Sequence, residues 1–411
     1  MHLRLGLVMS AALLAGGCSW FSWLPWVDKE VDADAPAELS KYQPELKIDR
    51  LWGAGIGEGL GTKYVRLSPA VVADRVIAAD AYGYVEARER FKGKRIWKAR
   101  IGRTDEGFFS FLNVMDRRDP SFVSGGVGAG EGLVLIGTTH AEVIALAVAD
   151  GKEQWRTRVS SEVLAAPTTG EGHVFAQTSD GRLVALAANG GAQLWTFDTQ
   201  VPVLTLRGTG SPAYASGFVV AGFANGKVGA FRAATGEPTW EQRVMLPQGR
   251  SELDRIVDVD GAPLITAAAI FAASYQGRVK ALRPADGTVF WERETSTSVD
   301  LAQGRGHIYV VDDKDVVTAL DQRNGNVVWE QRGLFRRELS PPVAFGDYVA
   351  VADGEGYVHV LAQSDGRFLA RRKVDGKGVR SAMNFADDVL YVYGNGGKLA
   401  ALSVKPIAKR R

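Results

Sequence analysis

The feature that most constrains this chain is where its tryptophans fall. A five-residue strand-like unit recurs eight times: GYVEA at 83–87, AEVIA at 141–145, GRLVA at 181–185, GKVGA at 226–230, GRVKA at 277–281, DVVTA at 315–319, GYVHV at 356–360 and GKLAA at 397–401. Successive starts are 58, 40, 45, 51, 38, 41 and 41 residues apart. Six units carry a tryptophan 14 residues after the start: Trp97, Trp155, Trp195, Trp240, Trp291 and Trp329. A turn such as DGKEQW, TGEPTW, DGTVFW or NGNVVW precedes it. The seventh unit keeps the turn (DGRFLA) but has Ala370 at the tryptophan position, and the eighth reaches Arg411, the last residue. The absent member sits at the other end of the chain, as Trp52 in KIDRLWGAG.

Each unit alternates apolar and polar residues behind a glycine-containing turn, the signature of strands joined by hairpins. Units of about 40–45 residues with four strands each fit propeller blades. The chain is therefore expected to be all-β: an eight-bladed β-propeller of four-stranded antiparallel blades spanning 47–404. The strand around Trp52 supplies the outer strand of the last blade, whose inner strands come from 380–404. Each tryptophan is expected on an outer strand, packed against the next blade. Closure of this kind dispenses with the capping repeats of an open solenoid. Two intervals are longer than the rest and map to face loops, at 108–122 and 244–261.

The N-terminus reads as an address. Arg4 is followed by an apolar run from Leu5 to Ala15 and then by small residues, the layout of a secretory signal over 1–17. Ala15-Gly16-Gly17-Cys18 resembles a bacterial lipobox, with Ala15 where leucine is usual. Cys18 is the only cysteine, and the resemblance makes it the first mature residue and the lipid carrier. Ser19 after it implies the outer membrane, on the periplasmic face. Residues 18–46 are expected to be anchor and tether, with Trp20, Trp23 and Trp26 near the headgroup zone or packed on the domain. Residues 405–411 form a basic tail.

Charge and motifs narrow the function. Lys plus Arg total 49 against 47 Asp plus Glu, a net charge of +2, which gives no reason to expect nucleic-acid capture. Five histidines show no paired metal spacing, and one cysteine excludes a disulfide framework. No phosphate-binding loop, dinucleotide fingerprint or nucleophile elbow is present. The repeat resembles that of the eight-bladed pyrroloquinoline-quinone dehydrogenases, which makes a quinone-dependent periplasmic oxidoreductase the alternative reading. The adjacent cysteines that such enzymes place against the cofactor are missing here, so the shared repeat speaks to fold rather than activity.

Two segments look like an interface. In VPVLTLRG, 201–208, an extended backbone would put Val203, Thr205 and Arg207 on one side and Leu204 and Leu206 on the other. In ELDRIVDVDG, 252–261, Asp258 and Asp260 would share a side. Aliphatic anchors beside an arginine and carboxylates suit a partner patch. The residues alone equally allow core leucines and aspartates that cap Arg207 or Arg255. Together, the lipobox, the tether, the eight units and these two segments resemble the BamB family, the periplasmic lipoproteins of the β-barrel assembly machinery, over nearly the entire mature chain. The resemblance implies a non-enzymatic scaffold without a cofactor. It also implies that Leu204, Leu206, Arg207, Asp258 and Asp260 bind BamA through its POTRA domains, with other Bam lipoproteins reached indirectly. Unfolded outer-membrane protein clients are further partners to consider, by strand addition at sheet edges.

Overall fold

The computed structural model describes residues 35–102, 120–206 and 208–407. Cys18, the three tether tryptophans, most of the 108–122 insertion, Arg207 and the end of the basic tail lie outside them. The described residues contain no helix; their strands assemble into eight sheets. Blades one to seven span 70–100, 123–158, 168–198, 213–243, 264–294, 302–331 and 343–373. Blade eight comprises 384–406 plus the strand Leu46–Gly55 from the opposite end of the chain. Blade two departs from four strands: Arg66–Leu67 adds a fifth, innermost strand that pairs in parallel with Gly125 and Gly126.

Strand character follows position in the blade. The middle strands are covered on both faces by neighbouring blades and read as unbroken apolar runs, as in Leu133–Thr138 and Val389–Tyr393, where every residue is buried. The outer strands face solvent on one side and alternate; in Arg95–Arg100 and Val289–Glu294 the tryptophan is the fully buried position. A register shift accompanies the third-to-fourth strand pairing in every blade. Such bulges re-aim the side chains beside them, and here they flank the indole.

Each indole then locks into the next blade in the same way. Its Nε1–H donates to the carbonyl three residues before the glycine of that blade's last hairpin turn: Trp52 to Arg90, Trp97 to Val148, Trp155 to Ala188, Trp195 to Ala233, Trp240 to Pro284, Trp291 to Gln322 and Trp329 to Gln363, at 2.8–2.9 Å. The ring lies flat on the glycine. At Gly151, with φ of 75°, an added Cβ would stand 2.5 Å from the Trp97 ring. Only glycine gives both the left-handed turn and the close approach.

The closure explains Ala370. The outer strand of blade eight arrives from the N-terminus, so that blade has no final hairpin turn to receive an indole. The junction uses other contacts. Glu45 N–H donates to Leu369 O (3.0 Å), and Arg367 grips the Glu45 carboxylate with two bonds of 2.9 and 3.0 Å. The closing strand runs antiparallel from Leu46 opposite Pro406 to Gly55 opposite Lys398. Ahead of it, residues 37–45 do not trail free: Arg337 donates to Ala37 O, Arg371 donates to Ser40 O, and the Tyr42 ring lies tilted against Phe368.

Trp97→Ala is expected to cost about 3–5 kcal/mol and Gly151→Ala at least about 1 kcal/mol. The pair should fall well short of additive, because removing the ring removes the clash. Ala370→Trp should destabilise by about 1–3 kcal/mol through overpacking instead of completing the set. Denaturant unfolding of the four variants checks this.

Candidate partner-docking site

The two segments singled out in the sequence are consecutive connectors. Residues 199–212 lead from the outer strand of blade three to the inner strand of blade four, and 244–263 from blade four to blade five. The first is not a strand: it bends at Val203 and Leu204. With no neighbouring strand to fix a ladder and no N–H on Pro202, nothing enforces alternation. Both residues are consequently exposed, Val203 at 96% and Leu204 at 38%, whereas Leu206 is half-buried.

The second connector supplies the rigid part. Ile256, Val257 and Val259 are buried; Val259 N–H donates to Phe223 O of blade four, and Tyr275 N–H of blade five donates to Asp258 O. This anchored stretch fixes Asp258, which is wholly buried. Its Oδ2 accepts the Leu206 N–H at 2.6 Å, joining the two connectors. Its Oδ1 has no hydrogen-bond partner among the described residues. Asp260 sits two residues on, against Gly208, where an added Cβ would stand 2.7 Å from its Oδ2. Arg255, one of the residues the aspartates might have capped, lies instead 3.6 Å from Glu252.

The structure thus brings Leu204, Leu206, Asp258 and Asp260 to one place and gives them different situations. Leu204 faces solvent, Leu206 and Asp260 are partly covered, and Asp258 is sealed. Sequence reasoning singled out none of the other exposed apolar residues of the two connectors as partner contacts. Leu246 (57% exposed) and Leu253 (65%) protrude from the second connector, and Val203 from the first. The signal was available: apolar residues stranded among Pro, Gly and charged neighbours in a connector have no blade to bury them.

Behind the connectors lies the mouth of the central channel, a cavity of about 520 Å³ lined by Arg66, Leu206, Asp260 and Asp300 among others. Arg66 donates to Ser298 O at 3.0 Å and Ala262 N–H donates to Asp300 at 2.8 Å. Burial raises the Asp258 carboxyl to about 7, against the Leu206 N–H that favours the anion. Burial, then the Asp258 charge, raises Asp260 to about 8, with Arg66 opposing. Asp300 is raised by burial too. No group of three or more His, Cys, Asp or Glu among the described residues converges to hold a metal.

These shifts have a sign. The folded chain keeps protons on Asp258 and Asp260 that the unfolded chain releases near pH 4, so folding loses stability as pH rises from about 4 to about 8. Asp260→Asn is neutral throughout. It should match the parent near pH 4 and exceed it at pH 8.5, by at least about 1 kcal/mol, when Tm is followed across that range.

The model of the family described as outer membrane protein assembly factor BamB matches residues 81–331 and 314–406. The BamB of Pseudomonas aeruginosa is 44% identical over 398 residues, covering 97% of this chain and 98% of that one. The BamB of Escherichia coli K12 is 39% identical over 396 residues, covering 96% and 97%. The crystal structure of BamB from Moraxella catarrhalis superposes with a TM-score of 0.76 at 26% identity, covering 87% of this chain and all of that one. A quinohemoprotein alcohol dehydrogenase from Comamonas testosteroni, at 14% identity and a TM-score of 0.66, covering 89% of this chain and 77% of that one, shares the fold alone. By sequence and by architecture, this chain belongs to the BamB family of outer membrane protein assembly factors.

Proposed function

We propose that this chain is a non-enzymatic scaffold of the outer-membrane β-barrel assembly complex. In this reading Cys18 carries the lipid that holds it to the periplasmic face of the outer membrane. The connectors of blades three to five dock on the POTRA region of BamA and so support folding and insertion of outer-membrane proteins. Other Bam lipoproteins are reached through BamA.

The observation that carries the reading is the Leu206–Asp258 bond, which pins one end of a loop whose other end is held by Asn225 at Thr199 and Gln200, so that Val203 and Leu204 protrude between them. Loops presented on a rigid scaffold are where binding residues concentrate, and a pre-ordered loop loses less entropy on docking. The five residues divide by role. Leu204 meets the partner, and the resemblance gives Arg207 the same role. Leu206 and Asp260 shape the loop's inner side. Asp258, which no partner can touch, positions the loop from beneath.

Co-purification with BamA tests this division. Leu204→Asp and Arg207→Glu should each abolish capture, while Phe290→Asp, a more exposed apolar position on blade five, should not. Asp258→Ala should weaken capture about tenfold, as expected for about 1–2 kcal/mol of lost hydrogen bonding. Asp258→Asn keeps an oxygen acceptor for Leu206 N–H and should retain most of it. Normal capture by both Leu204→Asp and Arg207→Glu would refute the assigned surface.

A further inference from the structure

At the start of the third strand of a blade the repeat places a cation four times: Arg182, Lys227, Arg278 and Lys398. In blades three, four and five a carboxylate on the adjoining outer strand meets it: Arg182 with Asp198 at 2.7 Å, Lys227 with Glu241 at 2.8 Å, Arg278 with Glu294 at 3.1 Å. Blade eight breaks this pattern because its outer strand has a different origin. Gly55 stands opposite Lys398, and Gly53 lies two residues before it. Neither supplies a counter-charge.

The closing strand adds a cation instead. Arg50 is exposed, and its side chain lies across Gly53, where an added Cβ would stand 3.3 Å from the Arg50 Cδ. Blade seven contributes two more. Arg372 donates to Ile48 O at 2.6 Å, and Lys373 sits over the Tyr357 ring at 5.0 Å. These four cations line a cleft of about 290 Å³ between the two blades, and no carboxylate lines it. The nearby Asp49 is held by Lys47 at 2.8 Å. Clustered like charges without a counter-charge repel one another and concentrate anions. Arginine and lysine together suit the oxygens of a phosphate group.

We propose that the cleft between blades seven and eight binds a phosphate group, borne by the headgroup of an anionic phospholipid. Leu51, 47% exposed beside Arg50, favours a lipid surface over free phosphate, since it sets an apolar side chain next to the cationic rim. The site is independent of the docking connectors, which belong to blades three to five.

The test uses the Cys18→Ser chain, which has no thiol to acylate, with phosphatidylcholine vesicles containing or lacking phosphatidylglycerol. Sedimentation should show retention on the anionic vesicles about tenfold above the neutral ones. The pair Arg50→Gln and Lys398→Gln should abolish that preference. The pair Lys227→Gln and Arg278→Gln makes the same change in net charge at neutralised sites and should keep it. Circular dichroism confirms that both pairs fold. Equal losses in the two pairs, or no preference in the parent, would overturn the proposal. Titration with inorganic phosphate separates the sources: binding of phosphate without retention on anionic vesicles would overturn the lipid assignment.

Discussion

The seating of an indole on a glycine turn organises this molecule. A single blade cannot bury both faces of its sheet, so its stability lies in the junctions with its neighbours. The tryptophan serves that junction in two ways. Its ring covers apolar area, and its N–H satisfies a backbone carbonyl that burial would otherwise leave without water. Seven repetitions with the same donor, acceptor and glycine spacing give adjacent blades one relative placement. That regularity lets the connectors vary without disturbing the frame.

The eighth junction shows what the ring does where the rule cannot apply. A closing strand from the other end of the chain removes the receiving turn, and Ala370 together with the Arg367–Glu45 pair takes its place. The same substitution of one strand for another removes the carboxylates that accompany Arg182, Lys227 and Arg278 elsewhere. The electrostatic singularity of blade eight is thus a by-product of topology: residues 46–55 were never part of a hairpin and carry none of its charge pattern.

The ring, its blade count and its closure were legible in the sequence because they rest on periodicity: 14 residues from strand to tryptophan, with the count completed only by Trp52. That 244–261 forms a connector between blades was legible in the sequence; the geometry of the candidate site was not. Alternation would set Val203 and Leu204 on opposite sides, yet both are exposed, because period-two reasoning holds for a strand in a ladder and 201–206 has no ladder. Asp258 and Asp260 look equivalent in the sequence, yet one is sealed and the other borders the channel. That difference comes from blade five passing beneath 256–259, a contact between segments that no local pattern records. Arg66 at the channel wall was invisible for the same reason, since a two-residue parallel strand leaves no signature.

Joining 46–55 to 398–406 also bears on how the molecule comes into being. A chain synthesised from its N-terminus delivers the first half of this pairing long before the second. Contacts this remote in sequence form slowly, after the loop-closure entropy has been met. Until then the early strand presents unpaired backbone, and blade one lacks the Trp52 contact with Arg90. Closure of the circle is therefore late, and until it happens the unpaired strand leaves the chain open to proteases and to self-association.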